Sequence, residues 1–253
     1  MGTAMIRCLL TKEIAAPQDI VISDVSLSQR ESLSKEYGVS TLASNRKAIE
    51  GADVAVLAIK PQDLAKIMEE LRNLPAQQAM LSIVAGASLA SLCQGLNHNC
   101  IIRAMPNMPA QIGEGMTVWT ATTAVSPKQK KMVQSILGSL GMEIYVADEK
   151  YLDMATALSG SGPAYVFLFI EALIDAGVHI GLPRDIAQKL VIQTILGSTR
   201  VVPETNKHPA ELRDMVTSPG GTTTEALLQL EKGGLRSLLL EAVVAAYDKA
   251  KHL

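Results

Sequence analysis

The chain is poor in aromatic side chains, which make up 3% of its 253 residues. Its hydrophobic content is nevertheless 48%. Alanine, valine, leucine, isoleucine and methionine must therefore build the core, which is typical of packed helices and of parallel sheets. A chain of this length can form one large domain or two smaller ones.

The chain also lacks a strong charge of either sign. Because its formal net charge is −2, we expect no nucleic-acid partner and no anionic membrane partner. The most apolar run, residues 164–182, contains Glu171, Asp175 and His179, so we expect no membrane span. No secretory signal is visible at the start of the sequence, which favours a cytoplasmic protein.

Cysteine is scarce as well, with only Cys8, Cys93 and Cys100. Their odd number and their spacing fit neither a disulfide scaffold nor a metal site, so we expect reduced and mostly buried thiols. The second half of the chain has no cysteine, and its histidines lie far apart along the sequence. We therefore expect no metal ion and no cysteine nucleophile in a site there.

Strand-like and helix-like patterns alternate in the first half. They predict strands at residues 20–22, 52–59, 79–84, 100–104, 117–122 and 142–146, and helices at residues 2–14, 27–37, 63–71, 89–96 and 127–140. Such alternation predicts a parallel sheet with right-handed crossovers. Helical patterns dominate from residue 151 onward. We therefore predict an α/β domain over residues 1–150 and an all-α domain over residues 151–253.

The glycine fingerprint of dinucleotide-binding sheets, G-x-G-x-x-G, is absent. Gly2 stands where its last glycine belongs, and Asp24 follows 22 residues later, close to the spacing of the acid that binds the ribose. The first strand and the first two glycines would then precede Met1. We hypothesise that this start is internal to the natural reading frame, or to a disordered or trimmed N-terminus. Loss of that strand should expose two strand edges and remove most of the phosphate cradle.

Three predicted strand ends carry residues that suit a ligand. They are Ser23-Asp24, residues 58–61 (AIKP) and residues 84–86 (VAG). Ligands of α/β sheets bind at the carboxyl ends of the strands, and small residues there leave room for an extended molecule. These positions predict a dinucleotide cofactor.

The segment at residues 214–231, DMVTSPGGTTTEALLQLE, indicates a pocket for a small carboxylate. Thr222 and Glu225 have the spacing of a capping box at the start of a helix. Gly220 and Gly221 have no Cβ, so a ligand can approach the backbone closely. Free N–H groups at a helix start attract anions. An ordinary helix entry is the alternative interpretation of the same residues.

Six segments together resemble one known family. They are MGTAMI at residues 1–6, AIKP at 58–61, AMPNMPA at 104–110, LSGSGPAYVF at 158–167, GLPR at 181–184 and DMVTSPGGTTTEAL at 214–227. Over essentially its whole length the chain resembles pyrroline-5-carboxylate reductase. The resemblance implies a Rossmann-type domain followed by an all-α dimerisation domain, in a homodimer that can build a larger ring. It also implies hydride transfer from NADPH or NADH to 1-pyrroline-5-carboxylate, giving L-proline.

The resemblance also implies functions for particular residues. Thr223 would lie at the imine nitrogen, where a hydroxyl can orient that atom and relay a proton. Ser218 would assist it, and the backbone of Gly220, Gly221, Thr222 and Thr223 would bind the substrate, with the N–H groups of the last three at its carboxylate. The implied cofactor set is Met1, Gly2, Asn45, Ala58, Ile59, Lys60, Pro61 and Met215, with residues 84–86 as weaker members. Asp24 joins this set through its spacing from Gly2.

Some alternatives stay open on the sequence. Asp24 favours the ribose hydroxyls of NADH, but Arg30 or a local serine could receive the 2′-phosphate of NADPH. A β-hydroxyacid dehydrogenase would need a catalytic lysine in its helical domain, and no lysine after residue 151 follows a glycine-rich helix entry of that kind. A non-enzymatic homologue with impaired cofactor binding is the remaining alternative.

Overall fold

The computed structural model describes residues 1–252. By its internal contacts the chain divides into two units. One unit contains Met1–Ser161 together with the C-terminal residues from Ala246 onward, and the other contains Gly162–Ala245. The first unit is α/β and the second is all helical. The domain boundary at residue 150 stays a prediction.

Strands and short helices alternate in the first unit. Its helices are α1 (Gly2–Thr11), α2 (Leu27–Tyr37), α3 (Asn45–Ala48), α4 (Leu64–Glu70), α5 (Leu89–Leu96), α6 (Pro127–Gly138) and α7 (Lys150–Ala155), and α7 runs into a π-helix at Thr156–Gly160. Its strands are β1 (Val21–Ser23), β2 (Ser40–Leu42), β3 (Val54–Leu57), β4 (Ala79–Ser82), β5 (Ile101–Pro106), β6 (Gly115–Ala121) and β7 (Gly141–Tyr145). The short elements β2 and α3 were not predicted.

The strands form two separate sheets. β1 pairs in parallel with β2, and the other strands form a sheet of order β3-β4-β5-β6-β7. In the larger sheet only β5 and β6 are antiparallel. The predicted parallel sheet therefore contains one antiparallel pair. Only a short 3-10 turn, Met108–Ile112, separates the two strands, which is too little chain for a parallel crossover.

Helix α1 packs against both sheets. Met5 and Cys8 lie in the cluster around Leu81 and Ile102, on one face of the larger sheet. Ile6 packs instead with residues of α2 and of the loop before β2. β3 ends the larger sheet and β1 pairs only with β2, so both strands present an unpaired edge.

The larger sheet is covered on both faces. Ala79, Leu81, Ile102, Ala104 and Trp119 lie in one cluster with residues of α1 and α6, and the opposite face packs on α4 and α5. The Trp119 ring is 2% exposed and contacts Tyr145 edge to face, with 4.8 Å between ring centroids. The three cysteines are free thiols, and two of them are buried, as predicted.

The second unit is a set of helices with little interior. They are α8 (Gly162–His179), α9 (Arg184–Thr205), α10 (Pro209–Met215), α11 (Thr222–Lys232) and α12 (Leu235–Ala250), the last of which ends in the first unit. In Gly162–Ala245 only Ala187 is buried, whereas large side chains such as Leu168, Leu190 and Leu240 are more than half exposed. Helices that expose so much apolar surface are typical of a binding interface.

One helical run is long and apolar enough to cross a membrane by length and composition alone. It covers Lys150–His179, with a mean hydropathy of 1.5 in its most apolar stretch. This is weak evidence, because a helix that packs on a protein partner meets the same criterion. The absence of a membrane span therefore stays a prediction.

We predict that Gly141→Ala destabilises the first unit. Gly141 has a φ of 137°, and a Cβ there would overlap the carbonyl of Gly115 on the neighbouring strand. We expect a loss of about 1–3 kcal/mol in the free energy of unfolding, measured by urea denaturation with circular dichroism. The control is Gly138→Ala in α6, where a Cβ meets nothing within 4 Å and helix propensity favours alanine. Equal unfolding free energies of the two variants would contradict the prediction.

Candidate active site

A tight turn precedes α11 in the segment predicted to bind a carboxylate. The Gly221 N–H donates to the Ser218 carbonyl at 3.0 Å, and Gly220 between them has a φ of 65°. The same carbonyl accepts the Thr224 hydroxyl at 2.8 Å. The Ser218 carbonyl oxygen therefore connects this turn, by two hydrogen bonds, to the beginning of α11.

The capping box predicted at Thr222 and Glu225 is not formed. The N-cap of α11 is Gly221, which has extended backbone angles and no side-chain oxygen, and Thr222 is already helical. Thr224 fastens the helix start by donating to the turn instead. The helix ends at Lys232 with Gly233 as its C-cap, and Gly234 follows with a φ of 70°.

Two backbone N–H groups at the start of α11 are available to a ligand. Those of Thr222 and Thr223 make no hydrogen bond within residues 1–252, as expected for the first turn of a helix. The Gly221 N–H is taken by Ser218, which corrects the expectation that it is free for the substrate carboxylate. The helix start keeps its preference for anions through the two remaining groups.

Gly221 and Ser218 lie in close contact. A Cβ on Gly221 would be 2.5 Å from the Ser218 hydroxyl oxygen, so any side chain there would displace that hydroxyl. Thr223 is half-buried, and within residues 1–252 its hydroxyl makes no hydrogen bond. The turn thus presents two N–H groups and two hydroxyls over a few residues.

The predicted cofactor residues, Met215 excepted, lie in the first unit. Asp24 follows β1, residues 58–61 follow β3 and residues 84–86 follow β4, so these groups lie at the carboxyl ends of parallel strands. Met215 belongs to the second unit, where it ends α10, is 66% exposed and accepts from the Lys207 ammonium at 3.3 Å.

The start of α1 and the end of β3 come together, as a nucleotide site requires. A Cβ on Gly2 would be 3.3 Å from the Ala58 Cβ, so glycine keeps this approach open. Met1 is the N-cap of α1 and is 39% exposed, and no side chain caps the helix start. The first N–H groups of α1 can therefore face a phosphate. Ile59 is half-buried beside this point, and the exposed Lys60 precedes the turn that Pro61 begins.

The loop after β1 is internally ordered. One carboxylate oxygen of Asp24 accepts the Ser26 N–H at 2.8 Å, and the Arg30 guanidinium donates to the Asp24 carbonyl at 2.6 Å. Asn45 begins α3, and its amide donates to the Glu70 carboxylate at 2.8 Å. Arg30 therefore lies beside the acid expected at the ribose.

Asn107 fastens the end of β5 to two other segments. Its carbonyl oxygen accepts the Met116 N–H of β6 at 2.8 Å, and its amide nitrogen donates to the Ser159 carbonyl at 3.1 Å. Ser159 belongs to the π-helix at Thr156–Gly160. This places the AMPNMPA and SGSGPAY motifs in direct contact, and sequence spacing alone gave no signal for it.

A buried ion cluster also escaped sequence analysis. Arg103 of β5 has a side chain only 8% exposed, and its two terminal nitrogens donate to Glu149 at 2.8 Å and to Asp153 at 3.0 Å. The pKa of the nearby Cys93 thiol is raised, first by burial and then by the negative charge of Glu149. The available signal was an arginine inside the apolar strand CIIRAM, because such a charge needs a partner.

Two family models match the chain. The model for pyrroline-5-carboxylate reductase dimerisation matches residues 149–253. The model described as NADP oxidoreductase coenzyme F420-dependent matches residues 1–86. The first match covers the helical part of the chain, and the second lies within the α/β part.

Curated relatives match over nearly their full length. The pyrroline-5-carboxylate reductase of Synechocystis is 42% identical, over 100% of this chain and 94% of the relative. The pyrroline-5-carboxylate reductase of Escherichia coli is 37% identical, over 100% of this chain and 94% of the relative. Among solved structures, the Coxiella burnetii reductase has a TM-score of 0.92 at 36% identity, over 99% of this chain and 94% of that chain. The Plasmodium falciparum pyrroline carboxylate reductase with NADP bound has a TM-score of 0.90 at 33% identity. The match covers 100% of this chain and 94% of that chain.

The fold and the site define an NAD(P)H-dependent oxidoreductase, with an α/β dinucleotide-binding domain and a helical dimerisation domain. The chain belongs to the pyrroline-5-carboxylate reductase family. The predicted fold class, family and cofactor type are confirmed, and homodimerisation is through the helical domain. The β-hydroxyacid dehydrogenase alternative is excluded.

We predict that Asn107→Asp weakens the contact between the two motifs. Aspartate keeps the oxygen that accepts the Met116 N–H but replaces the amide donor by a carboxylate oxygen facing the Ser159 carbonyl. We expect a loss of about 1–3 kcal/mol in the free energy of unfolding, measured by urea denaturation, because a part-buried acceptor loses its partner. An unchanged unfolding midpoint would show that this bond adds nothing to stability.

Proposed function

We propose that the turn at residues 218–223 binds 1-pyrroline-5-carboxylate and that the strand ends of the first unit bind NAD(P)H. The chain reduces this cyclic imino acid to L-proline, the last step of proline biosynthesis. The single observation that carries the substrate assignment is the set of donors at the turn that have no partner within residues 1–252: the N–H groups of Thr222 and Thr223 and the Thr223 hydroxyl. The direct test is an assay with pyrroline-5-carboxylate and each nicotinamide cofactor.

The substrate carboxylate is the group for which the helix start is best suited. A monoanion gains from the partial positive charge of the helix N-terminus and from the two free N–H groups. Gly220 allows the positive φ of the turn, and Gly221 allows the Ser218 hydroxyl to lie against the backbone. Both glycines therefore allow the backbone conformation that the proposed carboxylate site requires.

The chemistry asks little of the protein beyond orientation. Reduction adds a hydride to the carbon of the C=N bond and a proton to its nitrogen, and the bound NAD(P)H supplies the hydride. No metal ion or covalent nucleophile is needed for either addition. Holding the imine carbon at the correct distance and angle is a large part of such catalysis. The donors at residues 222 and 223 fix one end of the substrate.

Thr223 acts at the imine nitrogen in this proposal. Its hydroxyl can donate to that nitrogen and accept in turn from water, so it can orient the imine and relay the proton. Ser218 supplies a second hydroxyl, which Gly221 keeps in place. Met215, the last residue of α10, is exposed and is proposed to contact the cofactor.

The cofactor fits the strand ends of the first unit. Gly2 and Ala58 keep the start of α1 open to a phosphate, and residues 58–61 and 84–86 offer backbone groups along the sheet edge. Asp24 is proposed to bind a ribose hydroxyl, and Arg30, which donates to the Asp24 carbonyl, is proposed to bind a 2′-phosphate. Asn45 and Lys60 complete the set at the adenosine and phosphate ends.

Two finer points belong to the same proposal. Dimers of this chain are proposed to associate further into a ring, supported by the exposed apolar side chains spread over α8, α9 and α12; light scattering on the intact protein measures the mass. A cytoplasmic location is proposed from the free thiols.

We predict that Thr223→Ala lowers kcat by about 10- to 1000-fold, because a positioned polar group at the reacting nitrogen is lost. The cofactor KM should stay unchanged. The matched control is Thr123→Ala, which removes an exposed threonine from a turn of the first unit. Steady-state kinetics on both variants give the answer, and turnover near that of the unaltered protein would remove Thr223 from the mechanism.

We predict that Arg30→Ala raises the KM for NADPH by about 10- to 100-fold, since a charge-assisted contact to the 2′-phosphate is lost. The KM for NADH should change little. Lys35→Ala is the control, because it removes a cation from the exposed last turn of the same helix. Equal changes for the two cofactors would place the 2′-phosphate elsewhere.

A further inference from the structure

The buried ion cluster described above consists of Arg103, Glu149 and Asp153, and we name it the Arg103 cluster. One guanidinium lies between two carboxylates at 2.8 and 3.0 Å, and both acids are mostly shielded, with side chains 29% exposed. A buried arginine without these acids would carry an uncompensated charge. The three side chains therefore hold one another in a single arrangement.

Glu149 extends this arrangement to the loop after β4. The carboxylate oxygen that accepts from Arg103 also accepts the Leu89 N–H at 2.7 Å. Leu89 is the first residue of α5, where the N–H has no partner inside the helix and favours a negative charge. The acid thus fixes the point at which residues 83–88 enter the helix.

The other end of the same loop is held by the sheet. The Ile83 N–H donates to the Leu57 carbonyl of β3 at 3.1 Å, and the Val84 N–H donates to the Ser82 hydroxyl at 3.3 Å. Between these points Gly86 has a φ of 77°. The loop is therefore fixed at both ends, by β3 and β4 on one side and by Glu149 on the other.

Net stabilisation is a weak explanation for such a cluster. Burying ions costs solvation energy that their mutual attraction often only offsets, and well-packed apolar side chains can be at least as stable. What three charged side chains add is a defined geometry, because each accepts only a narrow range of positions for the others. The element whose geometry Glu149 fixes is the loop at residues 83–88.

We propose that the Arg103 cluster positions this loop for the nicotinamide cofactor. Arg103 and Glu149 are positioning residues, since they act through the backbone of residues 84–86. The inference rests on the proposed assignment of those residues to the cofactor. Release of the loop should weaken cofactor binding and disturb the alignment needed for hydride transfer, while the substrate turn at residues 218–223 keeps its own hydrogen bonds.

The test compares three variants in the full-length protein. Glu149→Gln keeps the shape of the side chain but removes its charge, Arg103→Met removes the cation, and Arg103→Lys keeps a charge that lacks the planar fork for two carboxylates. We expect the first two to raise the cofactor KM and the dissociation constant for NADPH, measured by fluorescence titration, by about 10- to 100-fold. Arg103→Lys should recover part of this loss, and the KM for pyrroline-5-carboxylate should stay unchanged.

The control is Asp148→Asn, which removes a neighbouring acid whose ion pair with Lys150 is solvent-exposed. It should leave both KM values unchanged. The inference is overturned if Glu149→Gln and Arg103→Met lower the melting temperature but bind cofactor as the unaltered protein does. Glu149→Gln, the milder change, keeps the test decisive if Arg103→Met does not fold.

A separate variant tests the assignment on which the inference depends. Gly86→Val strains a backbone with positive φ, so it distorts residues 84–86 directly. Weaker NADPH binding in this variant supports the cofactor assignment. If Gly86→Val binds NADPH normally, the assignment fails and the inference with it. If Gly86→Val weakens binding and the cluster variants do not, only the positioning function of the Arg103 cluster is lost.

Discussion

The apolar surface of the second unit is the constraint on which the active segment depends. Its helices bury almost nothing by themselves, and Ala187 alone is buried in Gly162–Ala245. With very few aromatic residues in the chain, aliphatic side chains must find this burial against another copy. The turn before α11 is carried by these helices. Dimerisation through these helices therefore also buries apolar surface of the unit that carries the proposed substrate turn.

Within that scaffold the substrate turn is organised by backbone geometry. The Ser218 carbonyl holds both the Gly221 N–H and the Thr224 hydroxyl, so the groups left over at Thr222 and Thr223 are free to face a ligand. The positive φ of Gly220 and the close contact between Gly221 and Ser218 allow this arrangement. A site of this kind needs few titratable side chains, which suits a reaction whose main requirement is alignment.

Much of the fold could be predicted from the sequence because the helices carry clear end signals. Helix α2 has the predicted bounds, with Ser26 capping its start and Gly38 its end, and α5 lies in the same way between Ser88 and Asn97. The short elements β2 and α3 gave too little periodicity to be found. The antiparallel pair β5–β6 depends on a turn whose direction the pattern does not encode.

The sequence could predict those parts of the candidate site whose chemistry depends on residue type alone. The glycines, the threonines and the strand ends fall into this class, and Gly2 and Ala58 do lie together. The partners of Arg103 could not be predicted, because Glu149 and Asp153 follow it by 46 and 50 residues in the sequence. The predicted capping box is not formed, because the N-cap is Gly221 and not Thr222. Gly221 has the backbone geometry of an N-cap but no side chain.

The single tryptophan gives the chain an optical property that follows from its position. Trp119 is buried in the first unit and lies edge to face against Tyr145, while the second unit has no tryptophan. Intrinsic emission excited at the red edge of protein absorbance therefore comes from the sheet alone. In any unfolding experiment this signal reports when the sheet of the first unit opens, while far-ultraviolet circular dichroism reports the helices of both units, so the opening of the sheet can be compared with the loss of helix in one sample.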